Sequence, residues 1–256
     1  MTDISAKSVM ELRQKTGVSM MACKSALQEA EGDGEKAIEI LRKKGAMAAE
    51  KKSGRETSEG AIATSGRAIA SVRCETDFVA RSEDFRKFVQ DLADKVEKNG
   101  IEKAKDWFED KKNEMIAVIG ENLSLGDVAT VPGGDVVGSY IHSNAKVASV
   151  VALTGGTEEV ARNIAMHIVA NSPRVIEPAD VDNKEVEKEK EIWKEQLKQE
   201  GKPEEIVEKI LLGKEKKYRE EQAVQTQPFV KNPDMLVKEY VASENAIIES
   251  FSRAEV

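Results

Sequence analysis

The 256-residue sequence has few of the residues on which most small catalytic or metal sites depend. Only two cysteines, Cys23 and Cys74, and two histidines, His142 and His167, are present. The cysteines lie far apart and form no CxxC pair, so neither a zinc site nor a thioredoxin-like redox motif is predicted. Reduced thiols of a cytosolic chain are the expected state of both. No metal site and no cofactor are predicted.

The chain also has few aromatics and no long apolar run. Aromatics are 4% of residues, charged residues are 34%, and the net charge is −8. An acidic chain disfavours direct binding to free nucleic acid. No run is long enough to span a bilayer, and the first residues, MTDISAKSV, do not have a signal-peptide pattern. We therefore expect a cytoplasmic protein that binds neither nucleic acid nor membrane.

The first 50 or so residues predict three short helices. Ser5, Ser19 and Asp33 are suitable N-caps, and Gly17, Gly32 and Gly45 are suitable stops. Apolar residues of these helices share one side and predict a small core. The first few residues of the following stretch could add a short helical piece. Ser53, Gly54 and Ser58 then supply breaks, so the rest is predicted to be a linker.

Two later segments align without a gap at an offset of 78 residues. GAIATSGRAIASVRCET begins at Gly60, and GSYIHSNAKVASVVALT begins at Gly138. Each predicts two strands joined by a tight turn, at Ser65-Gly66 and at Ser143-Asn144, followed by an amphipathic helix. The pattern predicts a duplicated α+β unit with antiparallel sheets.

The alignment singles out the stretch CETDFVARSEDF. Thr76 aligns with Thr154, but Asp77 and Phe78 align with Gly155 and Gly156, so we expect that this passage does not itself require Asp-Phe. Two interpretations follow. Either Asp77 caps the next helix and Phe78 fills a gap beneath it, or Phe78 protrudes beside a carboxylate toward a partner.

The rest of the chain predicts helices and turns. A helix is expected through Ile116 between the two copies, and VPGGD is expected to be a turn. Residues 183–222 are highly charged and have a thin apolar seam. Gly201 can end one helix and Pro203 can begin the next, so the segment is predicted to be a projecting antiparallel helical hairpin. The tail is expected to add a turn, a helix and a final strand-like piece.

Other motifs carry little chemistry. No GxxxxGK[ST] phosphate loop occurs, and no Ser/His/Asp or Cys/His set can be assembled. His167 is expected to be a packing histidine and Cys74 a core thiol. His142, beside a turn, is expected to be exposed, either as a partner contact or with no role. Met20 and Met21 are adjacent on a helix and cannot both face inward, so one is expected to be an exposed contact.

On several of these stretches the chain resembles bacterial elongation factor Ts, the nucleotide exchange factor of elongation factor Tu. The residues that carry the resemblance are VMELRQKTGVSMMACKSALQEAEGD, AIEILRKKGA, ETDFVA, GSYIH, IAMHI and TQPFV. In the last of these the family usually has Gly before QPF. The resemblance covers most of the chain.

The resemblance implies a partner, a site and a domain organisation. It implies that Thr76, Asp77, Phe78 and Val79 intrude near the Mg²⁺ site of elongation factor Tu. It implies further contacts with that GTPase at Arg13, Met20, Met21 and His142. The implied organisation is a ubiquitin-associated-like (UBA-like) three-helix module, a two-part α+β core and an inserted hairpin.

Together the residues and the resemblance predict an α+β protein with the following domains: 1–54 for the UBA-like module, 55–135 for the first core half, 136–182 completed by 223–256 for the second, and 183–222 for the coiled-coil hairpin. The predicted function is to bind elongation factor Tu·GDP and promote exchange of GDP for GTP, without covalent chemistry. The alternative is a non-catalytic adaptor that binds a partner through the UBA-like module, and an enzyme is a third and weaker reading.

Overall fold

The structure is a computed structural model that describes residues 4–201 and 203–256. Its α-helices are α1 Ala6–Thr16, α2 Met20–Glu29, α3 Gly34–Lys52, α4 Asp77–Arg81, α5 Glu83–Asn99, α6 Ile101–Ile119, α7 Glu158–Asn171, α8 Asn183–Gln199, α9 Glu204–Gln222 and α10 Val237–Ser243. Its strands are β1 Glu59–Ser65, β2 Ala68–Cys74, β3 Ser124–Thr130, β4 Val136–Ile141, β5 Val147–Gly155, β6 Pro228–Phe229, β7 Asn232–Leu236 and β8 Ala246–Glu255.

Helices and antiparallel strand pairs are mixed along the chain, which confirms the predicted α+β class. One sheet has the order β1-β2-β3, a second has the order β4-β5-β8, and β6 pairs with β7. The chain forms two compact units, the first from the described residues up to 130 with 254–256, and the second from 131–253. None of the described helices is long and apolar enough to cross a lipid bilayer.

Helices α1 to α3 of the first unit begin at the predicted caps. The side chains of Ser5, Ser19 and Asp33 each accept a hydrogen bond from a backbone N–H in the first turn that follows. These bonds satisfy donors that have no partner within the helix. The three helices share a small buried core of Val9, Leu12, Cys23, Ala26, Leu27, Ala30, Ala37 and Leu41.

The prediction that Gly45 ends the third helix is wrong, because α3 continues to Lys52. Gly45 is buried where α3 crosses α6, and a Cβ added there would lie 3.2 Å from both the Ala117 Cβ and the Asn113 carbonyl oxygen. Glycine costs a helix interior about 1 kcal/mol, but here it allows two backbones to approach closely. A signal that predicts a helix end in isolation therefore marks a crossing point in the folded chain.

The two predicted strand pairs have the same register. Gly60 pairs with Arg73 and Gly138 pairs with Val151, which are equivalent positions at the offset of 78. In the first pair Ser65 faces Ala68, so the turn consists of Gly66 and Arg67 rather than Ser65 and Gly66. Gly66 has a φ of +50°, which glycine adopts without strain. The second turn lies at Ser143-Asn144 as predicted, since the Ala145 N–H donates to the His142 carbonyl.

Two other element limits differ from the prediction. Helix α6 runs to Ile119 rather than Ile116 and ends at Gly120, which has a φ of +80°. Strand β3, which the sequence pattern did not predict, follows α6 and completes the first sheet. Its residues are mostly half-buried and do not alternate cleanly, so they lack the period-two signal of a strand.

Helices α8 and α9 of the second unit run antiparallel, with a thin apolar seam. Residues in the first half of α8 contact residues in the second half of α9, such as Glu185 with Tyr218 and Lys190 with Glu215. Val186, Leu197 and Val207 are buried in the seam, whereas most other side chains are exposed or half-buried. At its base the pair is joined to the rest of the unit by the ion pair between Arg174 and Glu185.

Candidate partner-binding site

Phe78 protrudes from the surface. It lies on α4, a five-residue helix between β2 and α5, and is 83% exposed. The adjacent Ala80 is buried, and Val79 packs partly against the core of the first unit. The interpretation that Phe78 fills a gap beneath the helix is therefore wrong, because the neighbours of Phe78 fill that space instead.

Asp77 does not cap the helix that follows it. The cap of α4 is Thr76, whose hydroxyl oxygen accepts a hydrogen bond from the Val79 N–H at 3.4 Å. Asp77 is the first residue inside α4 and forms an ion pair of 3.2 Å with Arg81 at the other end. This carboxylate lies at the N-terminal end of the helix, where negative charge is favoured, and it remains partly exposed beside Phe78.

The second copy makes this passage with a different backbone. Gly155 and Gly156 have φ values of +73° and +74°, whereas Asp77 and Phe78 lie on a helix. A Cβ on Gly155 would lie 2.4 Å from the Asn245 carbonyl oxygen, so glycine is required there. The two copies therefore follow different backbone paths here, so the glycines of the second copy do not support the expectation that this passage does not itself require Asp-Phe.

The segment that leads into α4 is held by the side chain of Glu121. Its carboxylate accepts hydrogen bonds from the Glu75 N–H at 3.0 Å, the Thr76 N–H at 3.0 Å and the Thr76 hydroxyl at 2.5 Å. Hydrogen bonds to an ionised acceptor are stronger than those between neutral groups. Glu121 therefore fixes the point at which the chain enters α4.

A second carboxylate reciprocates this arrangement. The side chain of Glu75 accepts a hydrogen bond from the Asn122 N–H at 2.6 Å and pairs with Arg55 at 3.3 Å. Glu75 and Glu121 thus each bind the backbone of the other's segment. We refer to these contacts between residues 75–76 and 121–122 as the carboxylate clasp.

Cys74 lies at the end of β2 and is fully buried, as expected for a core thiol. Its thiol donates to the Thr76 carbonyl oxygen at 3.3 Å. Burial, with the nearby charges of Glu121 and Glu59, raises the pKa of this thiol to about 12. It is therefore protonated at neutral pH and unsuited to act as a nucleophile.

The predicted contact residues of the helical region are all exposed. Arg13 lies on α1, and Met20 and Met21 begin α2, where they are 40% and 75% exposed. The expectation that one of the two methionines is a surface residue is met by Met21. Met47 on α3 is also 60% exposed, although the sequence pattern did not single it out.

His142 and His167 have opposite environments in the second unit. His142 is exposed just after β4, and its Nδ1 accepts from the Asn144 N–H at 3.4 Å. His167 is fully buried on α7, where its Nε2 donates to the Gln227 Oε1 at 2.9 Å and its Nδ1 accepts from the Val230 N–H at 3.2 Å. These partners require the neutral imidazole, and burial lowers its pKa. The expectation of a packing histidine is confirmed.

The fold brings Thr76, Asp77, Phe78 and Val79 together on α4 and its cap, as their adjacency requires. Arg13, Met20 and Met21 lie on the first two helices of the same unit, and His142 lies in the second unit. Sequence reasoning missed Glu121, because it is 45 residues from Thr76 and lies in an ordinary-looking turn.

Comparison with known proteins matches the whole chain to one family. A family model described as Elongation factor TS matches residues 75–256. A protein named Elongation factor Ts from Marinobacter nauticus is 46% identical, covering 100% of this chain and 92% of that protein. Proteins of the same name from Hahella chejuensis and Idiomarina loihiensis are 42% and 41% identical, covering 100% and 99% of this chain and 93% and 91% of theirs. The chain therefore belongs to the elongation factor Ts family of translation elongation factors.

Proposed function

We propose that this protein binds elongation factor Tu in its GDP-bound form and promotes release of GDP, so that GTP can replace it. Membership of the elongation factor Ts family supports an exchange role without covalent chemistry. The observation that carries the proposal is the exposure of Phe78, which is 83% accessible on a short, anchored helix. A large apolar side chain in this position is suited to insertion into a partner.

In the proposed mechanism, Thr76, Asp77, Phe78 and Val79 act at the partner's Mg²⁺ and nucleotide site. Phe78 inserts and displaces groups that hold the Mg²⁺, while the Asp77 carboxylate supplies a negative charge beside it. Thr76 and Val79 hold α4 in place, through the cap and through partial burial respectively.

Phe78 cannot supply the whole driving force. A nucleotide bound with nanomolar affinity is held by about 12 kcal/mol. Burial of one Phe contributes only about 1.5–3 kcal/mol. The nucleotide and this protein both bind the GTPase, and their coupling is reciprocal. This protein therefore weakens nucleotide binding by the same factor by which nucleotide weakens the binding of this protein. Most of its affinity for the nucleotide-free GTPase must therefore come from other contacts.

We propose that Arg13, Met20 and Met21 supply part of that affinity and that His142 supplies a contact from the second unit. Methionine suits such a surface because its flexible side chain adapts to the partner. The three helices around these residues form the proposed UBA-like module of residues 1–54.

The remaining domain limits are part of the same proposal. The two core halves are 55–135 and 136–182 with 223–256, and the shared register of their strand pairs supports their origin as duplicated units. Residues 183–222 form the proposed coiled-coil hairpin, whose thin seam supports a peripheral role.

The alternative is an adaptor that binds a partner through the helical module and has no exchange activity. Exposed methionines on the three helices favour a binding surface there, with Met10 at 54%, Met21 at 75% and Met47 at 60%. This alternative assigns no use to the exposed Phe78, so we favour exchange.

Release of a fluorescent GDP from the same organism's elongation factor Tu tests the proposal directly. Release is followed after addition of excess unlabelled GDP, with and without increasing amounts of this protein. We expect the rate to rise and saturate. Binding without any acceleration at saturating protein would refute exchange and support the adaptor.

A further inference from the structure

Phe78 cannot position itself, because most of its side chain contacts none of the described residues. It is 83% exposed, and α4 has only five residues, well below the length at which a helix is stable alone. The direction of Phe78 therefore depends on the groups that hold α4, which are Val79 and Ala80 within the helix and the contacts made at its start. Among the described side chains, Glu121 makes three of these contacts, to the Glu75 N–H, the Thr76 N–H and the Thr76 hydroxyl.

Glu121 is itself held on a fixed turn. Gly120, with a φ of +80°, ends α6, and its carbonyl oxygen accepts from the Lys52 Nζ at 2.6 Å. On the other side, the Asn122 Nδ2 donates to the Arg55 carbonyl at 2.8 Å. The turn that carries Glu121 is therefore joined to the end of α3, the helix that also packs on α6 at Gly45.

We infer that Glu121 is a positioning residue for nucleotide exchange: its carboxylate holds residues 75–76 and thereby aims Phe78 at the partner. This inference rests on the proposed function. Within the first unit, Glu121 joins the exposed Phe78 and its helix α4 to α3 and α6, which pack on each other. A force exerted by the partner on Phe78 is then resisted by these helices rather than absorbed by a movement of α4.

The charge of the carboxylate matters as well as its shape. One oxygen accepts from both backbone N–H groups and the other accepts from the Thr76 hydroxyl. Glutamine can keep one accepting oxygen, but its NH₂ group must then face the hydroxyl and the acceptor is no longer ionised. Alanine removes all three bonds. The expected order of effect is thus Glu121→Ala greater than Glu121→Gln.

The second unit contains a matched control. Thr154 aligns with Thr76, and its hydroxyl donates to the Glu249 Oε1 at 2.7 Å, while the Gly155 N–H donates to the Asp135 Oδ1 at 2.9 Å. A carboxylate therefore also holds the equivalent threonine where no Phe follows. Glu249→Ala removes a similar bond from a similar place without touching the segment that carries Phe78.

The first part of the test uses the full chain without its partner. Hydrogen–deuterium exchange of the peptide containing the Glu75 and Thr76 amides and alkylation of the buried Cys74, both read by mass spectrometry, report opening of this segment. We expect both to be about tenfold faster or more in Glu121→Ala and unchanged in Glu249→Ala. Unchanged protection in Glu121→Ala would show that Glu121 does not hold the segment, which overturns the inference.

The second part measures release of fluorescent GDP from elongation factor Tu at a series of protein concentrations. For Glu121→Ala we expect a maximal rate about tenfold lower with a half-saturating concentration within about twofold of the parent value. The maximal rate with Glu121→Gln should lie between those with the parent and with Glu121→Ala. A thermal melt of Glu121→Gln close to that of the parent excludes misfolding as the cause. Glu249→Ala should match the parent.

The outcomes separate this inference from the proposed function. If the parent and Glu249→Ala accelerate release and both Glu121 variants do so equally well, the positioning role is overturned while the exchange function stands. An equal loss in Glu121→Ala and Glu249→Ala also overturns it, because the effect is then general loosening. If the parent itself does not accelerate release, the proposed function fails, and the role of Glu121 in exchange fails with it.

Discussion

Replacement of Phe78 by Ala should leave the protein folded. Phe78 is 83% exposed, so folding removes only about a sixth of its surface from water. A buried Phe covers about 150–250 Å². A sixth of that area is about 25–40 Å², which at about 25 cal/mol per Å² corresponds to at most about 1 kcal/mol. The expected fall in melting temperature is about 2–4 °C.

The same substitution should strongly affect GDP release. If Phe78 becomes buried in the partner only when the nucleotide site is disturbed, Ala forfeits about 1.5–3 kcal/mol of that stabilisation. The maximal rate of GDP release then falls roughly tenfold to a hundredfold. Affinity for the nucleotide-bound partner should change little, because the other contacts are untouched.

Phe85 provides the matched control, since it is fully buried on α5 of the same unit. Phe85→Ala should cost about 3–5 kcal/mol of stability by leaving a cavity. A thermal melt and a GDP-release trace on the same sample of each variant distinguish the two effects. A Phe78→Ala protein that melts like Phe85→Ala, or that releases GDP as fast as the parent when folded, would refute the reasoning.

Three further changes test other parts of the molecule. Met21→Asp should raise the half-saturating concentration in GDP release and spare the maximal rate, since an acid in the first turn of α2 does not weaken the helix; a lower maximal rate at unchanged half-saturation would contradict this. Replacement of residues 187–217 by a Gly/Ser link, which keeps the contacts of Glu185 and Tyr218, should leave a cooperative circular-dichroism melt, and loss of that melt would make the hairpin part of the core. The pKa of His167 is lowered by burial, so its stabilising contribution is complete above pH about 6.5 and is lost as pH falls below that value, by up to about 1.4 kcal/mol per pH unit. Denaturant melts from pH 7.5 to 5 should show a weaker pH dependence in His167→Gln than in the parent; equal slopes in the two proteins would show that His167 is not the titrating group.

Local signals in the sequence were sufficient for much of the secondary structure. The caps Ser5, Ser19 and Asp33 act within three residues of themselves, so the helix starts could be predicted without knowledge of the fold. The alternation and turns of the two strand pairs are equally local. The aligned copies also singled out Asp77 and Phe78, because two glycines stand where these side chains do.

Tertiary contacts decided what these local signals left open. Gly45 lies inside a helix because α6 crosses there, and Phe78 is exposed because Val79 and Ala80 occupy the space beneath α4. Gly155 and Gly156 have positive φ values and lie so close to Asn245 and Ala246 that a Cβ would clash there.

The carboxylate clasp is the main feature of the structure that the sequence pattern did not predict. Glu121 and Thr76 are 45 residues apart, and nothing in the pattern around either residue refers to the other. A hydrogen bond between them exists only once β2 and the end of α6 have been brought together by the core of the first unit. The sequence by itself therefore singled out Phe78 as the side chain that could insert into a partner. The tertiary structure decided that Phe78 is exposed and that Glu121 holds the segment before it, because exposure and long-range contacts depend on the whole folded chain.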